Sequence, residues 1–199
     1  MNGLILLGVI AGVVILFGLF AVSAYNRLVA LREHVRTDWA QIDVQLKRRY
    51  DLIPNLVEAV KKYMGYERET LEAVIAARGA AMNGLSAAKA NPGDPAAMQQ
   101  LGTAETQLTQ SLGRLLAVAE AYPDLKASQN MMQFTEELTS TENKVAFARQ
   151  AYNDAVMYYN NRREVFPNTI IANMYAFTPA APLEIESPEA RKAVKVKFD

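Results

Sequence analysis

From Leu4 to Val22 nearly every position is apolar, and no Lys, Arg, Asp or Glu occurs between Met1 and Asn26. About 20 such residues at ~1.5 Å each match ~30 Å of hydrocarbon, and backbone groups facing lipid must bond within a helix. The pattern therefore predicts a transmembrane helix over residues 1–25. The rival is a cleaved signal peptide with Val22-Ser23-Ala24 as its cleavage site. Against it stand the length of the run and the absence of a preceding Lys or Arg.

Beyond Tyr25 the apolar positions turn periodic. Leu31, Val35, Trp39, Ile42, Leu46, Tyr50, Ile53 and Val57 step by 4, 4, 3, 4, 4, 3, 4. That eleven-residue rhythm, about 3.67 residues per turn, predicts a nearly straight helix continuing the membrane segment as a stalk. Pro54 lacks an N–H and crowds the carbonyl of Tyr50, so a kink or short break is expected near residues 51–54. The helix then resumes toward Met82. Asn83 to Asp94, with Gly84, Pro92 and Gly93, reads as a loop, and Pro95 as a first helical position.

Two further helices follow. Met98, Leu101, Leu108, Leu112, Leu115 and Ala119 keep heptad spacing, with Glu105 alone taking a seam position. Pro123 and Asp124 start the next helix, where Phe134, Leu138, Thr141, Val145, Ala148, Tyr152, Ala155 and Tyr159 alternate steps of 4 and 3. Such seams suit packing near 20° in a bundle. Phe166-Pro167 ends that helix, and residues 168–177 read as a short apolar helical cap. The expected fold class is all-α: a transmembrane helix at 1–25, an elongated antiparallel four-helix-type bundle at 26–177, and a disordered tail at 178–199. The tail holds Pro179, Pro182 and Pro188, and its final alternation, Val194 to Phe198, could add a strand to a partner's sheet.

Composition narrows the chemistry. The 199 residues balance 21 basic against 21 acidic side chains, which removes the global field that recruits nucleic acid. With no cysteine and one histidine, His34, neither thiolate chemistry nor a two-histidine metal motif can be built. His34 lies among Arg32, Glu33 and Arg36 and reads as a solvated side chain. Glu67 and Glu69 point apart along a helix and do not form an acid–base pair. No catalytic residue, cofactor or metal is expected. Arg27, Arg32 and Arg36 follow the span and no basic residue precedes it, which predicts an outside N-terminus and a cytoplasmic domain.

Three residue groups remain as candidate sites. Gly8 and Gly12 form a G-x-x-x-G that would let two spans pack closely into a homo-oligomer. Arg48 and Arg49, before the Pro54 kink, could meet Arg162 and Arg163, at the far end of the last long helix, and hold an anion or an acidic partner. Tyr50, Pro54, Asn55 and Asn160 read as structural, with Asn55 or Asn160 donating to the Tyr50 carbonyl freed by Pro54.

Two stretches go beyond bundle patterning. One runs from Tyr25-Asn26-Arg27 to Arg32-Glu33 and from Trp39 through Lys47-Arg48-Arg49-Tyr50-Asp51-Leu52-Ile53-Pro54-Asn55 to Glu58. The other combines Ala151-Tyr152-Asn153, Tyr159-Asn160, Phe166-Pro167-Asn168 and Met174 to Phe177. Together they resemble the LemA family of bacterial membrane proteins over essentially the whole chain. The resemblance implies a short outside N-terminus, one transmembrane helix in the bacterial inner membrane and a cytoplasmic helical bundle with a long first helix. It also implies no established enzymatic activity. Relatives connected with magnetosome membranes and with membrane proteases lead to an expected role as a membrane-anchored scaffold. The alternative is an accessory factor of a membrane protease or another membrane enzyme. The expected partners are the lipid bilayer, membrane or cytoplasmic proteins and other copies of the chain, not nucleic acid.

Overall fold

The computed structural model describes residues 2–64 and 66–185. Its elements, in chain order, are α1 (Asn2–Lys61), α2 (Arg68–Ala90), α3 (Pro95–Ala119), α4 (Pro123–Lys126), α5 (Gln129–Glu164) and α6 (Asn168–Met174). The all-α bundle with a long apolar N-terminal helix is as the periodicities predict.

Helix α1 is one run of 60 residues, about 90 Å long. Its first third stands clear of the bundle, with Leu4 82% and Phe17 50% exposed. From Leu28 onward the same helix enters the core. Val35, Trp39, Ile42, Leu46, Tyr50, Ile53 and Val57, the stripe read from the eleven-residue rhythm, are all buried. Of the kink or short break expected at 51–54, the break does not occur: the helical run continues through Pro54.

The bundle is two antiparallel pairs, α1 with α5 and α2 with α3, packed face to face around one core. The α1–α5 register follows from two contacts. Trp39 meets Tyr152 edge to face at 5.7 Å, and Arg49 Nη2 lies 3.7 Å from Glu142 Oε1. Ten residues forward on one helix correspond to ten backward on the other.

The α2–α3 turn is shorter than the sequence suggested. Helix α2 runs to Ala90 and takes in Asn83 and Gly84. Gly84 is there for close packing: a Cβ on it would lie 3.1 Å from Leu101 Cα of α3. Only residues 91–94 turn, with Gly93 at φ +88°, a conformation open to glycine. Asp94 caps α3 by accepting from the Ala97 amide at 2.9 Å, with Pro95 in the first turn. Helix α5 begins only at Gln129, capped by Ser128, because α4 is a single turn set off by Pro123.

The segment expected to be a flexible tail is ordered in its first part. Residues 178–185 run extended along α5 as a strap, and Leu183 is fully buried. The expected strand at Val194 to Phe198 lies outside the described residues.

Candidate functional site

Two polar clusters inside the bundle bring ionisable and amide groups together across elements, one between α1 and α3 and one between α5 and the strap.

In the first, the heptad seam of α3 sets Glu105 into the core with no exposure, facing Arg49 and Tyr50 of α1. Arg49 Nη1 donates to Glu105 Oε2 at 3.1 Å, its Nη2 donates to Thr109 Oγ1 at 2.9 Å, and the Tyr50 hydroxyl donates to Glu105 Oε1. Burial raises the Glu105 carboxyl above the ordinary carboxylate range, against the pull of Arg49 and of the Tyr50 hydrogen bond. Burial, with the Glu105 charge, likewise pushes the Tyr50 hydroxyl well above its usual value. Both Glu105 oxygens are taken up by Arg49 and Tyr50, so the group positions helices rather than presenting a reactive atom. A slip of α3 by one turn, about 5.4 Å, would strand a buried charge, which costs several kcal/mol (about 3–5).

Beside it lies the Tyr50 carbonyl, deprived of its helical donor by Pro54. Its partner is Arg78 of α2, whose Nε donates at 2.8 Å. Neither Asn55 nor Asn160 takes that role: Asn55 is exposed and Asn160 is bonded elsewhere. An arginine reaching across from a neighbouring helix could be found only once the faces of α1 and α2 were known.

The second place explains the Tyr-Asn pairs at 152–153 and 159–160. Asn160 donates to the Ala180 carbonyl at 2.8 Å and accepts from the Ala180 amide at 3.0 Å. Asn153 treats Leu183 the same way, at 3.2 and 2.9 Å. The hydroxyls of Tyr159 and Tyr152 donate to the carbonyls of Thr178 and Ala181 at 2.7 and 2.8 Å. Burial lifts both hydroxyls above the ordinary tyrosine range. Seven helical residues advance about 10.5 Å and three extended residues about 10 Å, so the repeat on α5 keeps step with the strap. On its other side the strap bonds Gly93, whose carbonyl accepts from the Ala181 amide at 2.8 Å, and covers Gly102, where a Cβ would collide with the Glu184 carbonyl.

The four arginines expected to share one anion site are not brought together. Arg49 is buried and ion-paired, while Arg48 is exposed beside it. The antiparallel register carries Arg162 and Arg163 to the level of residues 28–29, about 30 Å from Arg49 along α1. The sequence reading took the last helix to end near the kink; it ends near the apolar span instead. Gly8 and Gly12 lie on the free part of α1, where an added Cβ would meet nothing within 4 Å. His34 is solvated and pairs with Asp38 at 3.1 Å.

A groove of about 900 Å³ opens where α3 ends and α5 begins, lined by Leu116, Ala119, Met131, Met132, Thr135 and Thr139 among others. It lies at the opposite end of the bundle from the apolar span. No group of three or more His, Asp or Glu side chains suited to a metal occurs among the described residues.

The family model described as "LemA family" matches residues 38–198. A relative named magnetosome protein MamQ 2, from Paramagnetospirillum magneticum, is 25% identical over 174 residues, covering 78% of this chain and 63% of its own length. Magnetosome protein MamQ of Magnetospirillum gryphiswaldense is 23% identical, with 77% and 62% covered. Protein LemA of Metamycoplasma hominis is 24% identical over 151 residues, with 76% and 64% covered. The chain thus spans a little under two thirds of these curated relatives.

Proposed function

The chain belongs to the LemA family, and we propose that it is a non-enzymatic scaffold that gathers proteins at a membrane from a rigid helical mount. The feature that supports this most is α1, a single 60-residue helix whose apolar third leads without a loop into the bundle core. A bundle mounted in this way is held at a fixed height relative to the bilayer, which suits positioning. On this reading residues 1–25 span the inner membrane with the N-terminus outside, and 26–177 form the cytoplasmic bundle. The polar interior speaks for the same role: Arg49 and Tyr50 both donate to Glu105, and Asn153 and Asn160 bond the strap. Relatives that carry the name magnetosome protein fit a role in organising a membrane.

A second reading, an accessory factor of a membrane protease or other membrane enzyme, draws on the membrane-distal groove with its Leu116, Met131 and Met132 lining. An apolar segment of such a partner would fill it. Gly8 and Gly12 offer a self-pairing face within the span, free of neighbours in one chain.

Affinity recovery of the tagged chain from detergent-solubilised membranes after cross-linking separates the readings. A scaffold brings down further copies together with other proteins; an accessory factor brings down one enzyme, lost on Met132→Ser. Recovery of the isolated chain alone overturns both.

A further inference from the structure

The end of the bundle nearest the apolar span differs from the rest of its surface. Helix α6 packs on α1 at the level where the apolar run stops. Tyr25 meets Tyr175 at 4.8 Å and Phe177 at 5.6 Å, and Ala24 is buried in the contact region. Tyr25 is three residues, about 4.5 Å of helix, beyond Val22, the last residue of the apolar run. Within the eleven residues 165–175 at this corner, five large apolar side chains stay exposed: Val165 54%, Phe166 75%, Ile170 40%, Met174 65% and Tyr175 56%. Exposed apolar residues scattered singly need no explanation, but a concentration of this kind does.

Arginines surround the same corner. Arg27 and Arg32 stand on α1, and the register brings Arg162 and Arg163 of α5 beside them. Arg32 lies over the Phe177 ring at 5.2 Å. The nearby acids are Glu33, which pairs with Arg36 at 2.8 Å and reaches Arg32 at 3.9 Å, and Glu164, which pairs with Arg163 at 3.1 Å. Positive charge remains in excess. Among the described residues the Nε atoms of Arg32, Arg162 and Arg163 are buried with no hydrogen-bond acceptor.

We infer that α6 and the α5–α6 corner form a foot set into the headgroup layer of the bilayer that α1 crosses, with these arginines binding anionic phospholipid headgroups. The inference rests on the reading of residues 1–25 as a membrane span. Aromatic and apolar side chains next to arginine are what the headgroup region accepts: rings and methyl groups reach the acyl boundary while guanidinium groups hold phosphate. The foot gives the bundle a second fixed point beside α1, so that it cannot swivel about a single helix.

The chain lacks cysteine, so a spin label can be placed on one introduced thiol at a time. The full chain is placed in nanodiscs of phosphatidylcholine alone or with phosphatidylglycerol added, labelled through Phe166→Cys or Met174→Cys. Val14→Cys marks the bilayer interior and Gln110→Cys marks water. Accessibility to oxygen and to a nickel chelate then reports depth. Labels at 166 and 174 should contact lipid when phosphatidylglycerol is present, and each of Arg27→Gln and Arg162→Gln should lower the ratio of inserted to free foot about fivefold. Labels at 166 and 174 as wet as at 110, with position 14 in lipid, would overturn the foot while leaving the span. A wet position 14 would overturn the span reading itself. Insertion indifferent to phosphatidylglycerol and to both arginines would overturn the headgroup assignment.

Discussion

Pro54 removes one amide from the ladder of α1, and the guanidinium of Arg78 takes its place on the Tyr50 carbonyl. Arg78→Ala leaves that half-buried carbonyl unpaired, a cost of about 1–3 kcal/mol. In a Pro54→Ala background the restored amide can bond Tyr50, and the same Arg78 change should cost about 1 kcal/mol less. Urea unfolding of the four proteins in detergent measures this coupling; strict additivity would contradict it. Glu105 yields a pH effect. Its folded-state pKa is raised, so between the ordinary value near 4.5 and the raised one the native state binds more protons than the unfolded chain. Stability from this group is therefore present below pH 4.5 and declines as pH rises through that window. Glu105→Gln lacks the titration, so its melting temperature relative to the wild type should climb as pH increases from 4.5; a constant difference would contradict the buried carboxyl. The sequence exposed Glu105 as the one charge on an apolar seam, but not its partners. Those depend on which faces of α1 and α3 meet, and the pattern on each helix alone leaves that open.

Among elements, the strap shows how order can come from a neighbour. Residues 178–185 contain prolines and few large apolar groups, which read as flexible, yet the Tyr-Asn repeat of α5 bonds their backbone at four residues. Asn160→Ala removes two of these bonds and Gly102→Ala drives a methyl group into the Glu184 carbonyl. Either should raise amide hydrogen exchange across 178–185 at least about fivefold, as the loss of about 1–3 kcal/mol of local protection requires. Gly113→Ala, which meets nothing within 4 Å, should leave exchange unchanged. Equal exchange in all three would show that the strap is held by something else. The same dependence on neighbours accounts for α2. Gly84 read as a loop signal, but it lies inside a helix because α3 crosses there at backbone contact. Helices α1 and α5, by contrast, were legible from spacing alone, since their stripes are long and each buries against the other.

For the molecule as a whole, the decisive arrangement is direction. Because α5 runs antiparallel to α1, its last turn returns to the apolar span and brings Arg162, Arg163 and α6 with it, while the α3–α5 groove is carried to the far end. The chain then has an end beside the apolar span, built of arginine and exposed apolar groups, and a distal end with an apolar groove, about 50 Å apart along α1. The proposed scaffold role draws on this separation, with one end for the bilayer and the other for proteins beyond it. Family membership and the patterning of each helix were readable from the residues; the meeting of the two ends was not, as it rests on the register of α1 against α5. Native mass spectrometry of the full chain released directly from membrane vesicles bears on the scaffold role. Assemblies holding more than one protein chain, whether copies or partners, are the predicted result, and a spectrum of single chains carrying only lipid would contradict it.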